Sequence, residues 1–226
     1  MLNPISAAFK RAKKENRPAL LTYTVAGDST KKQSLEILKS ISKNADILEL
    51  GVPHNTPVAD GSQIQTSAYR AIKNGIRTID IFNIVKDFKK FNKTKPVILM
   101  GYYNSFLKYG LDQFFTDGSK AGVDGLIIVD LPLEEREEIA PQLKSHQISL
   151  INLISPLSDE QRIAQIADQE YSSGFLYLIS MLGITGTKDA DANFNANNLV
   201  KVRANSDLPV AIGFGVKTPA IASQFK

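Results

Sequence analysis

The sequence predicts an α/β protein built from repeated βα units around a parallel sheet. Two observations support this fold class. Short runs rich in Ile, Val and Leu alternate along the chain with longer segments whose apolar residues recur at helical spacing. The chain has 226 residues, of which 43% are hydrophobic, so it can bury one large core.

The apolar runs predict seven strands, at residues 19–25, 46–50, 97–101, 125–129, 149–154, 175–179 and 210–214. In the second strand, the period of two places Leu48 and Leu50 on one face and Ile47 and Glu49 on the other. Glu49 is therefore expected to face a core. A buried carboxylate is costly enough that it usually neutralises, pairs with a cation or serves a function.

Helical spacing predicts helices at residues 31–42, 63–74, 79–91, 107–120, 134–144, 158–167 and 196–205. Ser158 with Gln161 is typical of a capping box at a helix start. Thr218 followed by Pro219 is typical of an N-cap with proline at the first helical position. Both signals follow a predicted strand closely, as βα units require.

Seven units are one short of a closed (β/α)8 barrel, whose site lies at the C-terminal ends of its strands. An open doubly wound sheet is the alternative. Polar residues follow most of the strands, and only a barrel gathers them around one mouth. No linker or low-complexity tract divides the sequence, so we predict a single domain, residues 1–226. Because an open barrel exposes strand edges, we expect a C-terminally incomplete chain that lacks an eighth strand and final helix.

Composition excludes several classes of function. There is no cysteine, so neither disulfides nor thiolate chemistry can contribute. The net charge is +4, but the 27 basic residues are spread along the chain, which argues against nucleic-acid binding. No secretory signal or apolar membrane span is evident, and we expect a cytoplasmic protein. We expect no metal site, because His54 has no second ligand at a suitable spacing and is interpreted as a solvated loop residue.

Glu49 and Asp60 form a candidate acid/base pair, since one carboxylate ends an apolar strand and the other sits in the following loop. Two structural alternatives remain from the residues alone. Glu49 could pair with a core Lys or Arg, and Asp60, followed by Gly61, could be a turn residue.

The motifs 48–53, 57–61, 100–104, 130–132, 183–186 and 213–215 occur in this order along essentially the whole chain. On these residues the sequence resembles the α-subunit of tryptophan synthase, a barrel lyase that releases indole from indole-3-glycerol phosphate. The resemblance implies that Glu49 is the general acid/base of a retro-aldol cleavage. It also implies that Asp60 accepts the indole N–H and stabilises the charge that develops on the ring.

The resemblance further implies a substrate pocket formed by Tyr23, Met100, Tyr102, Val129, Tyr177, Thr185, Gly186, Phe214 and Gly215. Glycines 183, 186, 213 and 215 lie at or just after the ends of the sixth and seventh predicted strands, where backbone N–H groups can approach a phosphate. Residues 187–198 match a mobile lid of the family.

The family implies no cofactor in this subunit and a pyridoxal-phosphate β-subunit as partner, in an α2β2 assembly. The interface would include Pro53, Asn104, Asp130 and Pro132. His54, Asn55 and Thr56 depart from the usual Phe-Ser-Asp, and Ser62 replaces a proline. Two alternatives follow: a non-catalytic partner that activates the β-subunit, or another phosphate-binding barrel enzyme of amino-acid biosynthesis.

Overall fold

The computed structural model describes residues 3–168, 170, 172–179, 192–213 and 218–223. Its strands are β1 Leu21–Val25, β2 Ile47–Gly51, β3 Val97–Gly101, β4 Gly125–Ile128, β5 Ser149–Leu150, β6 Asn152–Ile154, β7 Leu176–Ile179 and β8 Val210–Gly213. All neighbouring strands pair in parallel. They form a five-stranded sheet in the order β1-β2-β3-β4-β5 and a three-stranded sheet in the order β6-β7-β8.

The two sheets are joined through the predicted fifth strand, which the structure splits at Ile151. Its first half, β5, pairs with β4, and its second half, β6, pairs with β7. Ile151 N–H donates to the Leu126 carbonyl at 2.9 Å, so the wall continues across the split. The strands follow one another in sequence order without the reversal of a doubly wound sheet. This order confirms the barrel architecture. Phe214, the predicted end of the last strand, lies outside the described residues.

The described helices are α1 Pro4–Lys14, α2 Lys31–Ile41, α3 Ser62–Lys73, α4 Thr78–Phe91, α5 Tyr103–Tyr109, α6 Leu111–Ala121, the 3-10 helix η1 Leu133–Glu138, α7 Ala140–His146, α8 Glu160–Ile166, α9 Ala192–Ala204 and α10 Pro219–Ala222. Helix α10 begins at Pro219, as predicted. No described helix is long and apolar enough to cross a membrane.

Two single helices predicted from spacing are each broken in two. The prediction for 107–120 is wrong because Gly110 adopts φ +94°, which ends α5 and starts α6. The prediction for 134–144 is wrong because Pro141, at the second position of α7, cannot donate the hydrogen bond that a continuous helix requires. The preceding residues instead form η1.

Two helix starts also differ from prediction. The capping box at Ser158 is wrong, since Asp159 is the N-cap of α8 and its carboxylate accepts from Arg162 N–H at 2.7 Å. Helix α9 begins at Ala192, so residues 192–198 of the predicted lid are helical. Residues 187–191 lie outside the described part of the chain. The C-terminal half of α9 is anchored by Val202, which is fully buried beside α8 and the β7–β8 strands.

Helix α1 was not predicted, although Asn3 before Pro4 is the same start signal as Thr218 before Pro219. The Asn3 side chain accepts from Ile5 N–H at 2.8 Å and donates to Ser149 Oγ at 2.7 Å. Phe9 packs against Phe175 with ring centroids 5.3 Å apart. The helix thus covers the barrel interior.

Alternation along the strands separates two hydrophobic layers. Ile47, Ile98, Ile127, Ile151 and Phe175 form an interior cluster with α1. The intervening residues, such as Leu48 and Leu50, pack outward against the helices. Because Glu49 lies two residues after Ile47 on the same strand, its side chain points into the interior as well, as predicted.

Candidate active site

Glu49 is a buried carboxyl in the barrel interior. It lies on β2 between Tyr23 of β1 and Ile98 of β3 in the pairing register, and its residue exposure is 2%. Its Oε1 finds no hydrogen-bond partner among the residues that the structure describes. Burial alone raises the pKa of Glu49 to about 7. Such a carboxyl can both donate and accept a proton near neutral pH.

Among the residues that the structure describes, Glu49 has no ion-pair partner that would give it a structural role. Within the described ranges, every ion pair joins other carboxylates to Lys or Arg. The raised pKa has desolvation as its cause, with no opposing cation. The arrangement therefore favours the functional interpretation of this residue.

Asp60 is held over the end of β2 by Tyr102, which follows β3. The Tyr102 hydroxyl donates to Asp60 Oδ2 at 3.0 Å and accepts from Ala59 N–H at 3.0 Å. Asp60 is 7% exposed. Burial raises its pKa, which the Tyr102 hydrogen bond and the nearby His54 partly offset. Asp60 is thus a fixed acceptor, and not only a turn residue.

Two tyrosines flank the carboxyls, each made possible by a glycine on the neighbouring strand. A Cβ at Gly51 would collide with the Tyr23 hydroxyl, and one at Gly213 would collide with the Tyr177 ring and hydroxyl. Burial raises the pKa of Tyr23, and the charges of Asp60 and Glu49 raise it further. Burial also raises the pKa of Tyr177, with Glu49 and Tyr23 acting in the same direction. Both phenols therefore stay protonated and lie within electrostatic reach of Glu49.

Other predicted substrate residues divide between the interior, a neighbouring cleft and the undescribed part of the chain. Met100 is half-buried and packs on the interior cluster. Val129 follows β4 and lines a cleft of about 250 Å³ with Leu153 and Pro132. Thr185, Gly186, Phe214 and Gly215 lie outside the described residues, as does Gly183, so the geometry of the predicted phosphate site is not described.

Of the predicted interface residues, Pro53, Asp130 and Pro132 lie in the loops after β2 and β4, and Asn104 lies in the first turn of α5, which follows β3. Pro53 is half-buried, whereas Asn104, Asp130 and Pro132 are exposed. The Asp130 carboxylate accepts from Tyr103 N–H at 2.6 Å, which ties the loop after β4 to the start of α5. These three exposed residues are available to a partner at the same end of the barrel as the carboxyls.

Sequence reasoning missed the packing of His54. His54 lies in a loop, as expected, but it is half-buried rather than solvated, because the imidazole stacks on Tyr102 with centroids 4.8 Å apart and planes inclined by 21°. Its Nδ1 also lies 3.1 Å from Ser105 Oγ on α5. The available signal was the departure from the usual Phe at this position, since an aromatic ring is retained there. In the described part of the chain, no group of three His, Asp or Glu could hold a metal ion.

Comparisons with known proteins identify the family of this chain. The family model described as tryptophan synthase alpha chain matches residues 9–226. The tryptophan synthase alpha chain of Pelagibacter ubique is 53% identical over 221 residues, which cover 97% of this chain and 83% of that protein. That of Acidiphilium cryptum is 40% identical over 223 residues, covering 98% and 80%.

Solved structures give the same result. A tryptophan synthase alpha subunit from Legionella pneumophila superposes with a TM-score of 0.90 at 33% identity, covering 99% of this chain and 82% of that one. The tryptophan synthase a2b2 complex from Pyrococcus furiosus contains a chain that superposes with a TM-score of 0.82 at 34% identity, covering 91% and 82%. Because the family model matches nearly the whole of this chain and a relative is 53% identical to it, this chain belongs to the tryptophan synthase alpha chain family.

Proposed function

We propose that Glu49 and Asp60 carry out the proton chemistry of the family's reaction in this chain. As a member of the family, the chain is a carbon–carbon lyase of tryptophan biosynthesis, which cleaves indole-3-glycerol phosphate to indole and glyceraldehyde 3-phosphate. The observation that carries the proposal is the buried Glu49 carboxyl, whose Oε1 has no partner among the described residues and whose pKa is raised to about 7.

The reaction needs two proton transfers at neighbouring atoms. Indole C3 gains a proton, which converts the ring to an iminium form that can accept an electron pair. The side-chain hydroxyl then loses its proton, the carbon–carbon bond breaks, and its electron pair returns to the ring as the hydroxyl carbon becomes an aldehyde. The proton gained and the proton lost balance, so one acid/base group can serve both steps.

Glu49 suits both steps because its neutral and ionised forms are close in free energy near pH 7. The neutral carboxyl donates to indole C3, and the carboxylate then accepts the hydroxyl proton, which restores the starting state. Interior residues such as Ile98 exclude water from one side of the group, and this desolvation keeps its basicity high.

Asp60 suits the complementary electrostatic role. When indole C3 is protonated, positive charge develops on the ring nitrogen, and a carboxylate accepting the N–H stabilises that charge. Tyr102 fixes one oxygen of Asp60 by its 3.0 Å hydrogen bond. Among the described residues no hydrogen bond to the other carboxylate oxygen is found, and this oxygen is the proposed acceptor of the indole N–H.

The remaining predicted residues complete the proposal. Tyr23, Met100, Tyr102, Val129, Tyr177 and Phe214 would shape the indole pocket, and Thr185, Gly186 and Gly215 would bind the phosphate. The chain would need no cofactor of its own. We also propose that the protein is cytoplasmic and that the chain forms a single domain.

The proposed partner is a tryptophan synthase β-subunit that carries pyridoxal phosphate. The related Pyrococcus furiosus chain occurs in an a2b2 complex. The exposed Asn104, Asp130 and Pro132, with Pro53, lie on the surface that would contact the β-subunit.

The test is indole release from indole-3-glycerol phosphate by the purified chain, alone and with a β-subunit. Glu49→Gln keeps the shape of the side chain but cannot transfer a proton, so it should abolish indole release. Glu36→Gln, on the exposed face of α2, is the matched control and should leave the rate unchanged. Stimulation of the β-subunit without indole release would instead support a non-catalytic partner.

A further inference from the structure

We propose that His54 is a positioning residue for Asp60, acting through its stack on Tyr102 and its hydrogen bond to Ser105. The inference rests on the proposed function, in which Asp60 stabilises the charge on the indole ring. It adds two residues, His54 and Ser105, that have no role in that function as described above.

The loop between β2 and α3 carries both His54 and Asp60, and two side chains from a different βα unit hold it. Tyr102 holds the Asp60 end, since its hydroxyl bridges Asp60 Oδ2 and Ala59 N–H at 3.0 Å each. Ser105 holds the His54 end, with its Oγ 3.1 Å from the imidazole Nδ1. The loop is therefore attached to the β3–α5 junction at two points.

Both attachments restrict the position of the Tyr102 ring. The imidazole lies nearly parallel to Tyr102 at a centroid separation of 4.8 Å, so it covers one face of the phenol and limits its rotation. A displaced Tyr102 would lose both of its 3.0 Å hydrogen bonds. Fixing His54 by Ser105 thus fixes the hydroxyl that orients Asp60.

This arrangement predicts which step is affected. Asp60 stabilises charge that is absent from the bound substrate and develops only during the reaction, so a loosened Asp60 should lower kcat more than it raises KM. Loss of one hydrogen bond of this kind corresponds to about a 3- to 10-fold effect. Loss of the stack as well should bring the total to roughly 10- to 100-fold.

The experiment compares kcat and KM of the full chain with indole-3-glycerol phosphate for wild type, His54→Phe, His54→Ala, Ser105→Ala and the double variant His54→Phe/Ser105→Ala. His54→Phe keeps the stack and loses the Ser105 bond, so it should match Ser105→Ala, and the double variant should be no worse than either. His54→Ala should be the slowest. His146→Phe is the matched control, because His146 stacks on Phe115 at 6.3 Å in the outer helical layer.

A second readout needs no turnover. The Ala59 amide donates to the Tyr102 hydroxyl, so its hydrogen exchange should accelerate by about 3- to 10-fold in His54→Phe and in Ser105→Ala if both fix that hydroxyl. Unchanged exchange together with unchanged kcat would overturn the proposal, as would multiplying effects in the double variant. If the wild type releases no indole, the proposed function fails, and the exchange result still decides whether His54 positions the loop.

Discussion

Glu49→Gln should make the folded chain more stable at pH 8 even as it abolishes activity. The carboxyl has an ordinary pKa of 4.5, and burial raises it to about 7. Each unit of pKa corresponds to about 1.4 kcal/mol. The ionised Glu49 therefore lowers the free energy of unfolding by about 3 kcal/mol once the pH exceeds the folded-state value.

The direction with pH follows from proton binding. Between pH 4.5 and about 7 the folded chain keeps a proton on Glu49 that the unfolded chain has lost, so wild-type stability falls as the pH rises through this window. Glutamine cannot ionise and has no such slope. The variant and the wild type should have similar stability near pH 4.5 and differ by about 3 kcal/mol at pH 8.

Urea denaturation at several pH values measures this difference. The difference in the free energy of unfolding is the difference between the two urea midpoints multiplied by a common m-value. Glu36→Gln is the control, because its carboxylate is on the surface beside Lys39, and it should change stability by less than about 0.5 kcal/mol at every pH. A Glu49→Gln variant that is less stable at pH 8, or equally offset at all pH values, would refute the argument. The first result would mean that the folded chain stabilises the carboxylate, as an ion pair would, and the second that folding leaves the pKa of Glu49 unchanged.

Three further changes test other parts of the structure. Tyr102→Phe removes the donor to Asp60 and should lower kcat/KM by about 10-fold without large loss of stability; steady-state indole release measures it, and an unchanged value would mean that Asp60 orients itself. Gly51→Ala places a Cβ against the Tyr23 hydroxyl, so thermal unfolding should show a loss of about 1–3 kcal/mol and activity should fall. Asp46→Asn weakens two arginine contacts and should cost about 2 kcal/mol at pH 7. Because Asp46 has a pKa lowered to about 2, this difference should disappear as the pH falls towards that value.

The strands could be predicted from sequence because they are short apolar runs, of which β2 and β4 are buried on both faces. Their predicted positions differ from β1, β2, β4 and β7 by one or two residues at an end. The helix predictions that were wrong have local causes, which the spacing of apolar residues does not reveal. Gly110 breaks a helical pattern through its positive φ, and Pro141 breaks another through its missing N–H. Asp159 competes with Ser158 for the cap, which spacing alone cannot decide.

The part of the site that depends on the alternation of side chains along a strand could be predicted from the sequence. Glu49 faces the interior because it lies two residues from Ile47 on the same strand. The hydrogen bond between Tyr102 and Asp60 joins residues 42 positions apart, and no pattern within either segment indicates it. The loop geometry that brings them together depends on packing between βα units.

The same reasoning separates the three departures at positions 54–56. From sequence they form one altered loop between Pro53, an implied interface residue, and the candidate catalytic Asp60. In the structure His54 packs on Tyr102, whereas Asn55 and Thr56 are exposed. Thr56 Oγ1 and Asn55 Oδ1 contact each other at 3.5 Å, a weak interaction that leaves both side chains available. Because only His54 is connected to Asp60, its replacement should alter turnover in the chain alone, while changes at Asn55 and Thr56 should alter only the affinity for a β-subunit.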